Sequence, residues 1–140
     1  YNVQLNEVYV SGFSNGGFMT YHLACNLSAK VAAIAPVAGL MGNSTYDTCS
    51  PIHPTPLAHI HGQQDDVIFI TGADYYRPLE DNGNTAGVIS YWQDYNQCST
   101  FSEEPVYDND QEVIGALKKW TNCSNNTEIN YWIMFIRLFL

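Results

Sequence analysis

The first half of the chain alternates between short apolar runs and amphipathic or polar stretches. Residues 8–10 form an apolar run that predicts a buried strand, and residues 16–28 carry apolar side chains near helical spacing and predict a helix. Residues 31–39 are a continuous run of small apolar residues ending in glycine, which is typical of a buried parallel strand. Residues 40–56 are rich in Asn, Ser, Thr and Pro, and this composition predicts an irregular loop.

The second half continues the same alternation. Residues 57–61 predict another short strand, and a polar stretch follows it. Residues 85–96 have helical spacing, residues 113–120 fit either a strand or a short helix, and residues 129–136 predict a strand. Strands that alternate with helices indicate an α/β fold with a parallel sheet, formed as a single domain by all 140 residues.

A glycine-rich turn joins the first predicted strand to the first predicted helix. It reads Gly12-Phe-Ser14-Asn-Gly16, and the order strand, Gly-x-Ser-x-Gly, helix resembles the nucleophile elbow of α/β-hydrolases. In such a turn the backbone of the serine is strained, Oγ is exposed above the sheet, and the glycines make room for the neighbouring strand and helix. Ser14 is therefore the predicted nucleophile, and the N–H of Asn15 is one predicted oxyanion donor. A plain glycine-rich turn is the alternative.

Two carboxylates follow the strand predicted at residues 57–61. In an open α/β sheet the reactive groups gather at the carboxyl ends of the strands, so Asp65 and Asp66 should lie at the same edge as Ser14. A serine hydrolase needs a base that takes the proton from Oγ and a carboxylate that orients this base, in the chain order Ser, Asp, His. Asp65 is the predicted acid, with Asp66 as the second candidate and a solvated turn aspartate as the structural alternative.

The base of such a triad has no candidate after Asp65, because all four histidines precede it. His22 falls on the first predicted helix and His53 in a Pro-rich loop, whereas His59 and His61 share one face of a strand. A pair of this kind could ligate a metal, but a structural role is favoured because two histidines spaced by two residues are more often structural. His61 lies near the catalytic edge, yet it belongs to the strand that carries the acid, and we do not predict it to be the base.

The charge balance narrows the range of partners. Five Lys and Arg residues stand against 14 Asp and Glu residues, which gives a net charge of -9. An acidic surface argues against nucleic acid or an anionic membrane as a partner. The longest apolar run, residues 132–140, contains Arg137 and is too short to span a bilayer. The sequence predicts no metal and no cofactor.

Four cysteines, Cys25, Cys49, Cys98 and Cys123, form an even set without Cys-x-x-Cys spacing. This spacing argues against zinc, and two disulfides, which suit an exported protein, are favoured over free buried thiols. Pairing Cys25 with Cys49 and Cys98 with Cys123 would close two loops of similar length, each contributing about 3 kcal/mol. Other connectivities stay open at this point.

Several separated blocks together resemble one known family. In the order found in the polyhydroxybutyrate depolymerase/feruloyl esterase group of secreted esterases, the chain carries the elbow at residues 8–17, Leu23-Ala-Cys25, the run 33–39, His59-Ile-His-Gly62 with Asp65, then Trp92 and Cys98. The resemblance implies a partial α/β-hydrolase fold with a mostly parallel sheet, in which Ser14 is the nucleophile and Asp65 the acid. It also implies a secreted or periplasmic enzyme acting on esters such as polyhydroxyalkanoate oligomers or feruloylated and acetylated polysaccharides, and it strengthens the disulfide interpretation.

The chain also departs from this family. The family's histidine usually follows the last strand in a Gly-rich loop, but residues 134–140 are an apolar tail with neither Gly nor His. The family's N-terminal strands and second oxyanion donor are missing as well. We therefore expect a catalytic domain truncated at both ends, with a truncation or reading-frame shift just after Trp132 or Ile133, and little or no turnover by the chain itself.

Two hypotheses about function follow from these observations. In the first, the chain is a fragment of a secreted serine esterase whose substrate is an ester, small or polymeric. In the second, it is a non-catalytic relative that binds a carbohydrate or polymer surface through the aromatic side chains of Tyr75, Tyr76, Tyr91 and Trp92. Packing in the core is the simpler role for these aromatics, and the serine within the elbow favours the esterase.

Overall fold

The computed structural model describes residues 4, 7–70 and 85–135. Its helices and strands are, in chain order, β1 (Tyr9–Phe13), α1 (Asn15–Asn26), β2 (Ala33–Val37), α2 (Asn43–Thr48), β3 (Leu57–Gly62), α3 (Thr85–Tyr95), β4 (Thr100–Tyr107), β5 (Val113–Thr121) and β6 (Ile129–Met134). Short 3₁₀ turns at Ser28–Lys30 and Ser124–Asn126 follow α1 and β5. The polar stretch at 71–84 and the last five residues of the predicted tail lie outside the described ranges.

The described strands form one sheet in the order β1-β2-β3-β6-β5-β4. The pairs β1–β2, β2–β3 and β3–β6 are parallel, whereas β6–β5 and β5–β4 are antiparallel. The predicted α/β fold with a mostly parallel sheet is therefore confirmed. Strand β2, predicted from a continuous apolar run, and strand β3, predicted as a short strand, are both central parallel strands.

The antiparallel half of the sheet differs from the sequence-based expectation. Residues 113–121 form a strand, which is one of the two alternatives left open for that segment, whereas β4 was not predicted at all. A short turn explains the reversal of direction between them. The Oδ1 atom of Asp108 accepts hydrogen bonds from the N–H groups of Asp110 (2.9 Å) and Glu112 (3.0 Å). A turn this short can join only antiparallel strands.

Two smaller differences concern helices. The segment predicted to be an irregular loop contains α2, so that prediction is wrong for Asn43–Thr48. The helix predicted to begin at residue 16 begins at Asn15 and ends at Asn26. Among the helices of the described ranges, none is long and apolar enough to cross a bilayer.

The core lies between the central strands and the helices α1 and α3. Tyr21 on α1 and Trp92 on α3 are both fully buried, and their ring centroids are 6.3 Å apart. On the sheet side, Tyr21 contacts His59 of β3, and Tyr131 of β6 meets the same imidazole edge-on. Two imidazole-bearing positions of β3, His59 and His61, are therefore part of the core and not of the surface.

Two disulfides tie the periphery to this core. Cys25 in the last turn of α1 is bonded to Cys49 directly after α2, and Cys98 after α3 is bonded to Cys123 after β5. The pairing between sequence neighbours is thus the one present. The alternative of free buried thiols is wrong, since none of the four cysteines is free.

Candidate active site

Ser14 lies in the turn between β1 and α1 with a backbone conformation that side-chain-bearing residues rarely adopt. Its φ is 53° and its ψ is -117°, a combination that glycine alone adopts without strain. Its N–H donates to the carbonyl of Val37 on β2 (2.9 Å), and its own carbonyl accepts from the N–H of Gly17 (2.8 Å). A serine before a helix usually caps it through its hydroxyl, but the Ser14 hydroxyl makes no capping hydrogen bond.

Glycines make this turn sterically possible. A Cβ atom on Gly12 would overlap the backbone of Gly16, whereas a Cβ on Gly16 would meet nothing within 4 Å. The steric role predicted for both elbow glycines therefore applies to Gly12 and not to Gly16. A Cβ on Gly17 would lie 2.9 Å from the carbonyl oxygen of Val37 and 3.0 Å from the Cα atom of Gly39. The contact that lets α1 approach β2 is between Gly17 and Gly39, which the motif did not single out.

Asp65 closes the turn that follows β3. Its Oδ1 atom accepts hydrogen bonds from the N–H groups of Val67 (3.0 Å) and Ile68 (2.9 Å). Its Oδ2 atom accepts no hydrogen bond from the described residues and lies 3.4 Å from Nε2 of His61. The side chain is only 7% exposed, so Asp65 is not the solvated turn aspartate considered as the alternative. Asp66, the second candidate, is exposed.

The sheet register places the Ser14 turn and the Asp65 turn at the same edge. Phe13 of β1 pairs with Val37 of β2, and Val37 pairs with Ile60 of β3. Ser14 and Asp65 both follow this level, on strands two positions apart in the sheet, which corresponds to about 10 Å across it. A single imidazole with a hydrogen bond at each nitrogen bridges a gap of this order.

The carboxyl end of β6 emerges at that edge too, on the other side of the Asp65 turn. Gly62 pairs with Met134, and the N–H of Gln63 donates to the Met134 carbonyl (2.7 Å). Phe135, the last described residue, follows β6 directly, and its N–H donates to the carbonyl of Ile114 on β5 (2.8 Å). The sequence has no histidine after Met134.

His59 and His61 form a buried hydrogen-bonded chain with Tyr21. The Tyr21 hydroxyl lies 2.6 Å from His59 Nδ1, His59 Nε2 lies 3.1 Å from His61 Nδ1, and His61 Nε2 lies 2.8 Å from the carbonyl oxygen of Ile68. A carbonyl oxygen only accepts, so His61 carries its proton on Nε2 and accepts at Nδ1. His59 consequently donates from Nε2 and accepts at Nδ1 from the Tyr21 hydroxyl. All four ring nitrogens are used, which leaves no lone pair for a metal.

Burial keeps the side chains of Tyr21, His59 and His61 neutral. It lowers the pKa of His59 well below its ordinary value, and the nearby His61 lowers it further. Burial also lowers the pKa of His61, against the opposing effects of the Ile68 carbonyl and the Asp65 carboxylate. Burial and the neighbouring Tyr131 raise the pKa of Tyr21 well above its ordinary value. Each member thus has the protonation state that the direction of the hydrogen bonds requires.

The other two histidines have hydrogen-bond partners other than Ser14. His22 is exposed on α1, with Nδ1 3.2 Å from the Thr45 hydroxyl, and His53 has Nε2 2.7 Å from the carbonyl oxygen of Ser28. Within the described part of the chain, no histidine is hydrogen-bonded to the Ser14 hydroxyl. Nor do three or more potential metal ligands lie together in these ranges.

The aromatic side chains considered for carbohydrate stacking do not form an exposed platform. Trp92 is fully buried, and Tyr91 is half-buried with its hydroxyl donating to the Cys49 carbonyl (2.9 Å). Tyr75 and Tyr76 lie outside the described residues. No described feature therefore favours the binding-module hypothesis.

The sequence of the chain also matches known proteins. The family model described as phospholipase/carboxylesterase matches residues 1–87, a range that includes both the Ser14 turn and the Asp65 turn. Since the match covers more than half of the chain, the chain belongs to the phospholipase/carboxylesterase family of α/β-hydrolases. The resemblance to the polyhydroxybutyrate depolymerase/feruloyl esterase group is thus confirmed as membership of the carboxylesterase/feruloyl esterase family of α/β-hydrolases.

Two relatives are esterases by name. Over 132 residues the chain is 29% identical to the bifunctional acetylxylan esterase/xylanase XynS20E of Neocallimastix patriciarum, an alignment that covers 94% of this chain and 17% of that protein. Over 72 residues it is 35% identical to feruloyl esterase B of Piromyces equi, which covers 50% of this chain and 13% of the relative. The chain therefore spans less than a fifth of either relative.

Proposed function

We propose that Ser14 and Asp65 are the nucleophile and the acid of a secreted serine esterase, and that the imidazole of the triad comes from a part of the natural protein outside these 140 residues. The imidazole takes the proton of Ser14 Oγ as this oxygen attacks the ester carbonyl. The tetrahedral intermediate then expels the alcohol, which receives that proton. Water cleaves the acyl-enzyme by the same route and restores Ser14, while Asp65 orients the imidazole and stabilises its charged form.

The observation that carries this proposal is the backbone of Ser14. A residue with a side chain at φ 53° and ψ -117° costs about 1–3 kcal/mol, and such strain clusters at functional sites. Glycine would occupy the position without this cost, and the hydroxyl of the serine does not contribute a helix cap. A catalytic role for the hydroxyl accounts for serine at this position, because it needs Oγ presented at the edge of the sheet.

Asn15 provides one oxyanion donor in this proposal. It is the first residue of α1, and the N–H of the first residue of a helix has no partner within that helix. The partial positive charge at a helix N-terminus adds to its effect on a developing oxyanion. The second donor belongs to a part of the natural protein outside this chain.

The substrate proposed is a feruloyl or acetyl ester of a polysaccharide. The names of the two relatives, a feruloyl esterase and an acetylxylan esterase, support this class, and polyhydroxyalkanoate oligomers are the competing ester class. Secretion is proposed because all four cysteines are disulfide-bonded, and disulfides persist mainly in oxidising compartments.

Hydrolysis by the natural full-length protein tests the proposal. The substrates are methyl ferulate, acetylated xylan and a 3-hydroxybutyrate oligomer, each assayed with wild type, Ser14→Ala and Ser11→Ala. Ser11 is a matched control, since it lies on the same strand with an exposed hydroxyl that donates to the Ala35 carbonyl (2.9 Å). We expect Ser14→Ala to lower kcat by at least about 10³-fold and Ser11→Ala to leave it nearly unchanged. Equal rates for wild type and Ser14→Ala would refute the assignment of the nucleophile.

A second measurement concerns the source of the base. The 140-residue chain alone should show no Ser14-dependent hydrolysis, because loss of the base removes several orders of magnitude in rate. Turnover by this chain that disappears in Ser14→Ala would place the base within it. His61 would be the first candidate to test, by His61→Gln.

A further inference from the structure

The Asp65 turn is attached to the core by the buried chain of Tyr21, His59 and His61. His61 is fully buried, and its Nε2 donates to the Ile68 carbonyl of the turn (2.8 Å) and lies 3.4 Å from Oδ2 of Asp65 itself. The N–H of the same Ile68 donates to Asp65 Oδ1 (2.9 Å). A single residue therefore connects the imidazole chain on its carbonyl side with the carboxylate on its amide side.

The other end of this hydrogen-bonded chain of side chains is anchored on a different element. Tyr21 is on α1, the helix that starts at the Ser14 turn, and its hydroxyl lies 2.6 Å from His59 Nδ1. The rings of His59 and His61 are stacked with centroids 5.3 Å apart, and Tyr131 packs edge-on against His59. The chain consequently links the helix behind the proposed nucleophile with the turn of the proposed acid.

We propose that Tyr21, His59 and His61 are positioning residues, whose directional hydrogen bonds fix the Ile68 carbonyl and thereby the orientation of the Asp65 carboxylate. Only one arrangement of protons satisfies every member, because the Ile68 carbonyl only accepts and each neutral imidazole has one donor and one acceptor. These directional hydrogen bonds therefore resist rotation of the Asp65 turn and not only its displacement. This inference rests on the proposed function, since it assigns these residues to the acid of the same triad.

Catalytic measurements on the natural full-length protein test whether His61 acts through Asp65. His61→Phe removes both ring hydrogen bonds, and we expect kcat/KM to fall about 10- to 100-fold, as for a misplaced catalytic group. Adding His61→Phe to Asp65→Asn should cost little more, because the residue through which it acts is already altered. His61→Gln, whose amide retains a donor for the Ile68 carbonyl, should recover most of the loss. Equal losses from His61→Phe in both backgrounds would show that it acts independently of Asp65 and would overturn the proposal.

Amide hydrogen exchange provides a readout that does not depend on turnover. Tyr21→Phe deletes only a hydroxyl, and Tyr91→Phe is its control, since the Tyr91 hydroxyl also donates one hydrogen bond, but to the backbone carbonyl of Cys49 (2.9 Å) and not to either histidine. We expect Tyr21→Phe, but not Tyr91→Phe, to speed exchange at the amides of Val67 and Ile68 at least about tenfold. Unchanged exchange at both amides would overturn the proposal even if the protein proved to be an esterase. If Ser14→Ala leaves hydrolysis intact, the proposed function fails, and this exchange experiment still decides whether the chain holds the turn.

The ring tautomers are a third, direct observable. Nitrogen-15 NMR of the natural protein should find His59 and His61 both neutral and protonated on Nε2 at pH 7. A proton on Nδ1 of either ring would reverse the direction of the chain and contradict the positioning role.

Discussion

Replacing Ser14 by glycine should stabilise the protein while it removes the proposed nucleophile. The backbone at φ 53° and ψ -117° costs a side-chain-bearing residue about 1–3 kcal/mol, and glycine is free of this strain. Against this gain stands the greater entropy that glycine has in the unfolded chain, about 0.5–1 kcal/mol. The balance is an expected gain of up to about 2.5 kcal/mol, or a rise in Tm of up to roughly 8 °C for a chain of this size.

Two matched variants separate strain from other effects. Ser14→Ala retains Cβ and hence the strain, and its lost hydroxyl makes no capping hydrogen bond, so we expect a stability within about 0.5 kcal/mol of wild type. Ser11→Gly is in the regular strand β1 and also loses the hydrogen bond to Ala35, so we expect it to destabilise by about 1–2 kcal/mol. Urea unfolding followed by tryptophan fluorescence gives the three values. The strain argument fails if Ser14→Gly is no more stable than Ser14→Ala.

Three further predictions concern the core. Gly16→Ala should stabilise α1 by up to about 1 kcal/mol, since its Cβ would meet nothing within 4 Å. Gly17→Ala should destabilise the protein, because its Cβ would press on the backbone of β2. Unfolding midpoints that fall equally in both variants would contradict this prediction. The pKa values of His59 and His61 are lowered in the folded protein, so unfolding favours proton uptake. The free energy of unfolding is therefore retained above about pH 6.5 and falls below this pH, by up to about 1.4 kcal/mol per pH unit for each histidine. Urea midpoints that stay constant at pH 7, 6 and 5 would exclude this pH dependence. The buried side-chain amide of Asn96 hydrogen-bonds both the N–H and the carbonyl of one residue in the loop before β3, at 3.0 and 2.8 Å. Asn96→Ala should therefore lower the free energy of unfolding by about 2–6 kcal/mol in the same assay. A loss below about 1 kcal/mol would contradict this prediction.

Sequence patterns predicted those parts of the fold in which buried positions are contiguous in the sequence. Strand β2 is covered in the sheet centre and reads as an uninterrupted apolar run. Strand β4 was missed because it is an edge strand, exposed along most of its length, that reads Thr-Phe-Ser-Glu-Glu-Pro-Val-Tyr and contains a proline. Helix α2 was missed because it is only six residues long, and the Cys25–Cys49 disulfide adjoins it in place of a long apolar face.

The same distinction applies to the candidate site. The turn around Ser14 was predictable because all of its requirements lie within Gly12 to Gly16, except one. The exception is the contact of Gly17 with Gly39, which joins an element to its neighbour across the fold. A local motif specifies the backbone of the turn, but the approach of helix to strand depends on a second glycine that no spacing rule connects with the first.

The two histidines of β3 show where pattern reasoning ends for a functional interpretation. Their spacing of two residues correctly placed them on one face of a strand. It left open whether that face binds a metal, supplies a base or is buried, because these roles differ only in what the face meets. The residue that decides is Tyr21, which lies 38 positions away and donates the proton that sets the direction of the whole chain. A neutral imidazole pair needs a donor at one end and an acceptor at the other, so the role of the His-x-His pattern is determined only together with Tyr21 and the Ile68 carbonyl. Substitution of either histidine alone should therefore destabilise the protein more than substitution of both by apolar residues of similar volume.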